Sequence, residues 1–188
     1  MSIPMRIPEG KIVLTYDDYA AIPNDGKRYE ILEGELAVTP APNLKHQTVS
    51  VNLVFLLSRH IRAKGLGSLY HAPVDLILEP TSVLQPDLLF VAKGRQSILT
   101  NRAVEGAPDL VVEILSPTTG RNDRVTKAHI YARHKVPAYW IVDPDQETVE
   151  VYLLNVDSYR LVTTLQGETA RPVPPFSDLE LAAKEIFN

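Results

Sequence analysis

Apolar positions along the chain recur in distinct rhythms, and each rhythm predicts a kind of element. Val49, Leu53, Leu56, Leu57 and Ile61 return at helical spacing, which predicts a helix over about 45–64 with Gly65 as its stop. Val74, Leu76 and Leu78 interleave with Asp75, Ile77 and Glu79, as in a strand. Three runs are apolar nearly throughout and follow a proline: Asp87–Val91 after Pro86, Asp109–Leu115 after Pro108, and Ala138–Asp143 after Pro137. Such strands belong in the middle of a sheet covered on both faces. A short helix is expected over Thr15–Ala21, before Pro23. A hairpin follows, Tyr29–Leu32 with Glu35–Val38, turning at Glu33-Gly34. A second helix should run from about Asp123 to Lys135, and the segments around 147–155 and 159–165 read as a meander. Ser177 and Glu180 stand at capping-box spacing and predict a closing helix over 177–187. The alternation of helices and strands predicts an α/β fold, a mixed sheet flanked by helices.

Composition narrows the picture. The 188 residues, 45% of them hydrophobic, suffice for one domain spanning 1–188 with a real core. Cysteine is absent, which excludes thiol catalysis and thiolate metal sites. No apolar run reaches the ~18 residues that a bilayer span needs, and the start MSIPMRIPEGK lacks the apolar stretch of a signal peptide. A soluble, cytoplasmic protein without membrane contact is expected. The net charge of -4 supplies no general attraction for nucleic acid, so any phosphate contact must come from local clusters. The 9 glycines form no phosphate-cradling loop.

Glu113 is the residue that breaks the pattern. It sits inside Leu110-Val111-Val112-Glu113-Ile114-Leu115, and a buried carboxylate normally needs an ionic, hydrogen-bonding or metal partner. The competing reading is a solvated glutamate on an edge strand. Asp87, at the entrance of another strand, offers a second acid, and two carboxylates on neighbouring strand ends can hold Mg²⁺. Its competing reading is a turn residue after Pro86. Asp109 is a weaker partner, because it lies roughly 13 Å along the same strand from Glu113 at ~3.3 Å per residue. Lys127, on the helix after the Glu113 strand, can bring positive charge to a reacting phosphate. Its competing reading is a solvated lysine.

Pro86-Asp87, an apolar strand with an embedded Glu113 and a following basic helix resemble the PD-(D/E)XK nuclease superfamily. YEILEGEL, the helix from His46, QPDLLFV, PDLVVEILSPTT, the segment KAHIYARHKVPAYWIVDP and the terminal DLEL resemble the bacterial putative restriction endonucleases of the Uma-two type, over most of Tyr16 to Phe187. The resemblance implies a restriction-endonuclease-like fold and a metal-dependent DNA endonuclease yielding 5′-phosphate ends. It implies Asp87 and Glu113 as metal carboxylates, the main-chain carbonyl of Ile114 as a third ligand, and Mg²⁺ as cofactor with Mn²⁺ as substitute. The superfamily pattern places lysine two residues after the acid. Leu115 stands there, and the role passes to Lys127. Glu30 matches a further acid of the pattern; an exposed hairpin glutamate is its competing reading.

Positive charge collects at Arg121, Arg124, Lys127, Arg133 and Lys135, and again at Arg59, Arg62 and Lys64. Arg121, Arg124 and His46 are candidate DNA contacts; for His46 a hydrogen bond at the helix start competes. A homodimer would suit cutting of two strands. The rival to an active enzyme is a nucleic-acid- or protein-binding module that keeps the fold without cleavage; a hydrolase of another phosphoester is a third reading.

Overall fold

The computed structural model describes residues 12–23, 25–116 and 122–188. Helix α1 (Tyr16–Ala20) leads into the hairpin β1 (Arg28–Leu32) and β2 (Glu35–Thr39). Its turn sets both Glu33 (φ 52°) and Gly34 (φ 85°) in the left-handed region, the demand of a two-residue turn that follows the strand twist. Gly34 also lets Val13 approach to where a Cβ would meet its side chain at 2.5 Å.

Helix α2 (Leu44–Lys64) starts on Asn43, whose side chain accepts the His46 backbone N–H, and ends on Gly65 at φ 62°. Next come β3 (Gly67–His71), β4 (Asp75–Glu79), β5 (Ser82–Leu84) and β6 (Leu88–Ala92). A 3₁₀ segment (Lys93–Ile98) and β7 (Ala103–Glu105) lead to β8 (Leu110–Ile114). A π-helical turn (Asn122–Lys127) runs into α3 (Ala128–Arg133). Then follow β9 (Ala138–Asp143), β10 (Thr148–Asn155), β11 (Ser158–Gln166), β12 (Arg171–Val173), β13 (Phe176–Leu181) and α4 (Lys184–Phe187).

Six strands form one sheet in the order β11-β10-β9-β8-β6-β3, with β8 and β9 parallel. Five form another, β2-β1-β5-β4-β7. Strand β8 lies inside the larger sheet, so its alternate residues enter different layers. Leu110, Val112 and Ile114 join Val49, Leu53 and Ile61 of α2 in one core. Val111 joins Ile130 and Tyr131 of α3 and Leu76 and Leu84 of the smaller sheet in the other. Glu113 shares the face of Val111 and therefore points between the two sheets. The expectation of strands covered on both faces describes β6, β8 and β9.

Two expectations are corrected. Residues 177–187 are not one helix. Phe176, Leu179 and Leu181 are buried while Ser177, Asp178 and Glu180 are exposed, and β13 pairs with β12 through Arg171↔Leu181 and Pro172↔Glu180. Alternating burial at Leu179 and Leu181 outweighs the capping spacing of Ser177 and Glu180, and only Lys184–Phe187 is helical. The helix expected over 123–135 begins as a wider π turn and ends at Arg133, with Lys135 at φ 64°. The Tyr139 hydroxyl donates to the Asp123 carbonyl at 2.9 Å and so supports that turn from β9. Among the described residues, no helix is long and apolar enough to cross a membrane.

Candidate active site

The mouth between the two sheets collects the buried ionic groups found among the described residues: Glu30, Asp87, Glu113, Asp123 and Lys127, with His46 beside them. They arrive from five places in the chain. Glu30 is on β1, Asp87 enters β6, Glu113 is in β8, Asp123 and Lys127 share the π turn, and His46 opens α2.

Lys127 is the hub. Its ammonium lies 3.0 Å from Glu30 Oε1, 3.1 Å from Glu113 Oε1 and 3.3 Å from Asp123 Oδ1. Burial works against its charge, but the three carboxylates prevail and hold it well above the ordinary lysine pKa. Glu113 also accepts the Tyr131 hydroxyl at 2.6 Å, and both of these bonds fall on Oε1. Burial, with Asp123, Asp87 and Glu30 nearby, drives the Glu113 carboxyl well above its usual range against the pull of Lys127. Glu30 is fixed further by the Gln85 N–H at 2.8 Å and the Thr39 hydroxyl at 3.1 Å.

Asp87 is held differently. Its Oδ2 accepts the Ile114 N–H at 2.8 Å and lies 3.2 Å from His46 Nε2. A carboxylate only accepts, so Nε2 is the ring nitrogen that carries the proton. Arg28 Nη1 stands 3.8 Å from Oδ1. Burial raises this carboxyl, yet His46, the Ile114 amide and Lys127 together lower it below the ordinary range. The cleft wall includes Arg28, Thr39, His46, Asp87, Glu113, Ile114 and Lys127.

Among the described residues, four acids, Glu30, Asp87, Glu113 and Asp123, stand with two cations, Lys127 and Arg28. Hard oxygen donors suit a divalent cation such as Mg²⁺, which accepts one or two carboxylates and keeps several waters. Among the described residues, no three acids or histidines are grouped at metal-binding spacing, and Lys127 lies among Glu30, Glu113 and Asp123.

The structure thus gathers Glu30, His46, Asp87, Glu113, Ile114 and Lys127. It does not bring Arg124 there: that guanidinium pairs with Glu150 and lies 3.8 Å from Asp143. Arg121 falls outside the described residues. Arg133 pairs with Glu33 and Glu79, and Lys135 with Asp157, so these cations of the stretch 121–135 are neutralised. Asp109 serves the opposite end of β8, with Arg95 at 2.8 Å. Asp123, Arg28 and Tyr131 were not foreseen as site groups. For Asp123 a signal existed: it stands four residues before Lys127, on the same helical face. Arg28 and Tyr131 carry none.

The model of the Uma2 family, described as putative restriction endonuclease, matches residues 16–184. Among solved structures, a putative nuclease belonging to DUF820 from Anabaena variabilis is similar at 22% identity. Its TM-score is 0.76, covering 93% of this chain and 97% of that one. At that identity the likeness is one of fold, a restriction-endonuclease-like mixed sheet with flanking helices. No curated protein matches the chain.

Proposed function

The chain belongs to the Uma2 family of putative restriction endonucleases, and from that premise we propose that it is a metal-dependent endonuclease hydrolysing DNA phosphodiester bonds. The observation that carries this reading is the meeting of Asp87, Glu113 and Lys127 in one cleft. Asp87 and Glu113, with the main-chain carbonyl of Ile114, would hold Mg²⁺. When bound, Mg²⁺ lowers the pKa of a water and neutralises charge on the scissile phosphate, and Mn²⁺ can replace it.

The chain's own groups divide the remaining work. Lys127 stays protonated among its three carboxylates, so it serves as a fixed positive charge toward the attacking water and the phosphate oxygens. His46 and the Ile114 amide fix the Asp87 carboxylate, leaving Oδ1 toward Arg28. Glu30 and Asp123 hold the Lys127 ammonium in place. The water oxygen forms a new bond to phosphorus and gives up a proton as the P–O3′ bond breaks, and the departing 3′ oxygen takes up a proton from solvent, giving 5′-phosphate and 3′-hydroxyl ends.

Purified protein incubated with supercoiled DNA and Mg²⁺ or Mn²⁺ should nick it, chelator should stop this, and Glu113→Gln should be inactive. Nicking that persists in Glu113→Gln would sink the proposal. A specific observation favours the rival, an inactive binding module. Lys127 already neutralises part of the acid cluster and sits at its centre. Nucleic-acid binding without cleavage under every metal condition would support that reading.

A further inference from the structure

Helix α2 runs for 21 residues without a single acidic side chain, in a chain whose net charge is -4. Lys45 pairs with Asp145 at 3.2 Å, and Lys64 pairs with Asp178. Arg59 and Arg62, between them, differ: among the described residues, no carboxylate lies within ion-pair distance of either. The Arg59 guanidinium stands 5.6 Å from the centroid of the Phe55 ring. That ring is 62% exposed, and Val51, one turn earlier, is 64% exposed.

These side chains line a groove of about 550 Å³ between α2 and the end of β3 at His71. It shares Ser58 and Arg62 with a second hollow along β3. Among the described residues, neither wall holds an acid. Two of its lining residues are chain neighbours of groups that hold Asp87. Gln47 follows His46, which touches Asp87, and the Ala72 N–H, next to His71, donates to the Asp87 carbonyl at 2.9 Å. From His46 to Arg62 the helix extends ~24 Å at 1.5 Å per residue, the reach of several nucleotides.

A duplex keeps its base faces stacked on one another, so an exposed phenyl ring beside two uncompensated arginines gains little from it. A single strand offers phosphates to the arginines and a base face to the ring, where stacking is insensitive to sequence. We propose that this groove seats single-stranded nucleic acid, with a base on Phe55 and phosphates at Arg59 and Arg62, and leads its backbone to the cleft at Asp87. The inference rests on the nuclease reading and adds to it a seat for a single strand, the form exposed where a supercoiled plasmid is locally unpaired.

The test uses full-length protein in chelator, so that nothing is cut, and fluorescence anisotropy with a short labelled oligodeoxythymidine. Arg59→Gln combined with Arg62→Gln should weaken binding by at least ~10-fold. It should also flatten the slope of log affinity against log salt by about 1.4, at ~0.7 per phosphate contact on a single strand. Phe55→Ser should weaken binding by ~5-fold or more with the slope unchanged. It should leave duplex binding largely unaltered. All three positions are exposed on the helix, and unchanged melting temperatures would show that the variants fold. Wild type that does not bind the oligonucleotide, or variants that bind it as wild type does, would overturn the inference. So would a wild-type dimer that Phe55→Ser converts to monomer with binding unaltered, since the face would then be a contact between copies of this chain. Metal-dependent nicking by wild type alongside groove-independent binding would sink this inference alone. Groove-dependent binding without nicking would sink only the nuclease reading.

Discussion

The ammonium of Lys127 lies 3.1 Å from the Glu113 carboxylate, although one leaves a π turn and the other the middle of a sheet. Lys127 meets Glu30 and Asp123 as well, so its removal strands three buried acids. Lys127→Ala should therefore cost about 3–5 kcal/mol of stability, the range for breaking a buried ion pair. It should also cut the nicking rate by ~100-fold or more through loss of the positive charge at the phosphate. Denaturant midpoints and a plasmid-nicking time course measure the two effects. A variant as stable as wild type would show that the hub carries little of the site's organisation.

Metal should be visible without turnover. A divalent cation that binds only the folded chain raises its stability by RT ln(1 + [L]/Kd), about 2.7 kcal/mol at a hundredfold excess over Kd. Melting temperature should thus rise with Mg²⁺ concentration in wild type. Asp87→Asn and Glu113→Gln should each remove the rise. A rise that survives both substitutions would place the cation elsewhere.

Acid should act through Asp87. Its folded pKa lies below the ordinary aspartate value, so the unfolded chain binds the proton more readily. The stabilisation it contributes is complete above about pH 3.9 and is lost as pH falls through the folded value. Asp87→Asn should be less stable than wild type near neutrality, and should lose less stability between about pH 4 and pH 2. Parallel acid-unfolding curves for the two proteins would contradict this.

The helix that presents His46 depends on its core face. Leu53 is fully buried between α2 and the larger sheet, and Leu53→Ala should cost about 2–5 kcal/mol through lost contacts and a cavity. Nicking per folded molecule should be retained at low temperature, because Leu53 takes no part in the cleft. Thermal unfolding and active-fraction measurements check both.

Much of this arrangement is legible along the chain because burial imposes periodicity. Val49 to Ile61 at helical spacing mark α2, and the unbroken apolar runs mark β6, β8 and β9 as inner strands. Glu113 stands out for the same reason: an acid in a doubly covered strand violates the pattern that surrounds it. The region after Phe176 misleads because Ser177 and Glu180 imitate a cap, while the alternation of Leu179 and Leu181 is too short to dominate. Short strands such as β5 and β7 leave almost no periodic trace. Arg59 and Arg62 stand as a basic group in the sequence, yet nothing there tells that Lys64 beside them is neutralised by Asp178 from β13.

The sequence by itself determined the mixed α/β class, the inner strands, and the acids and lysine whose chemistry fits a phosphodiester. These follow from local rules, since side-chain period and residue type are properties of the chain. Only the tertiary structure decided which charges survive. Lys127 turns inward to three carboxylates, whereas Arg124, Arg133 and Lys135 are quenched by acids more than twenty residues away along the chain. Charge pairing depends on distance in space, and that distance is set by how the two sheets and α3 pack, which no local pattern encodes.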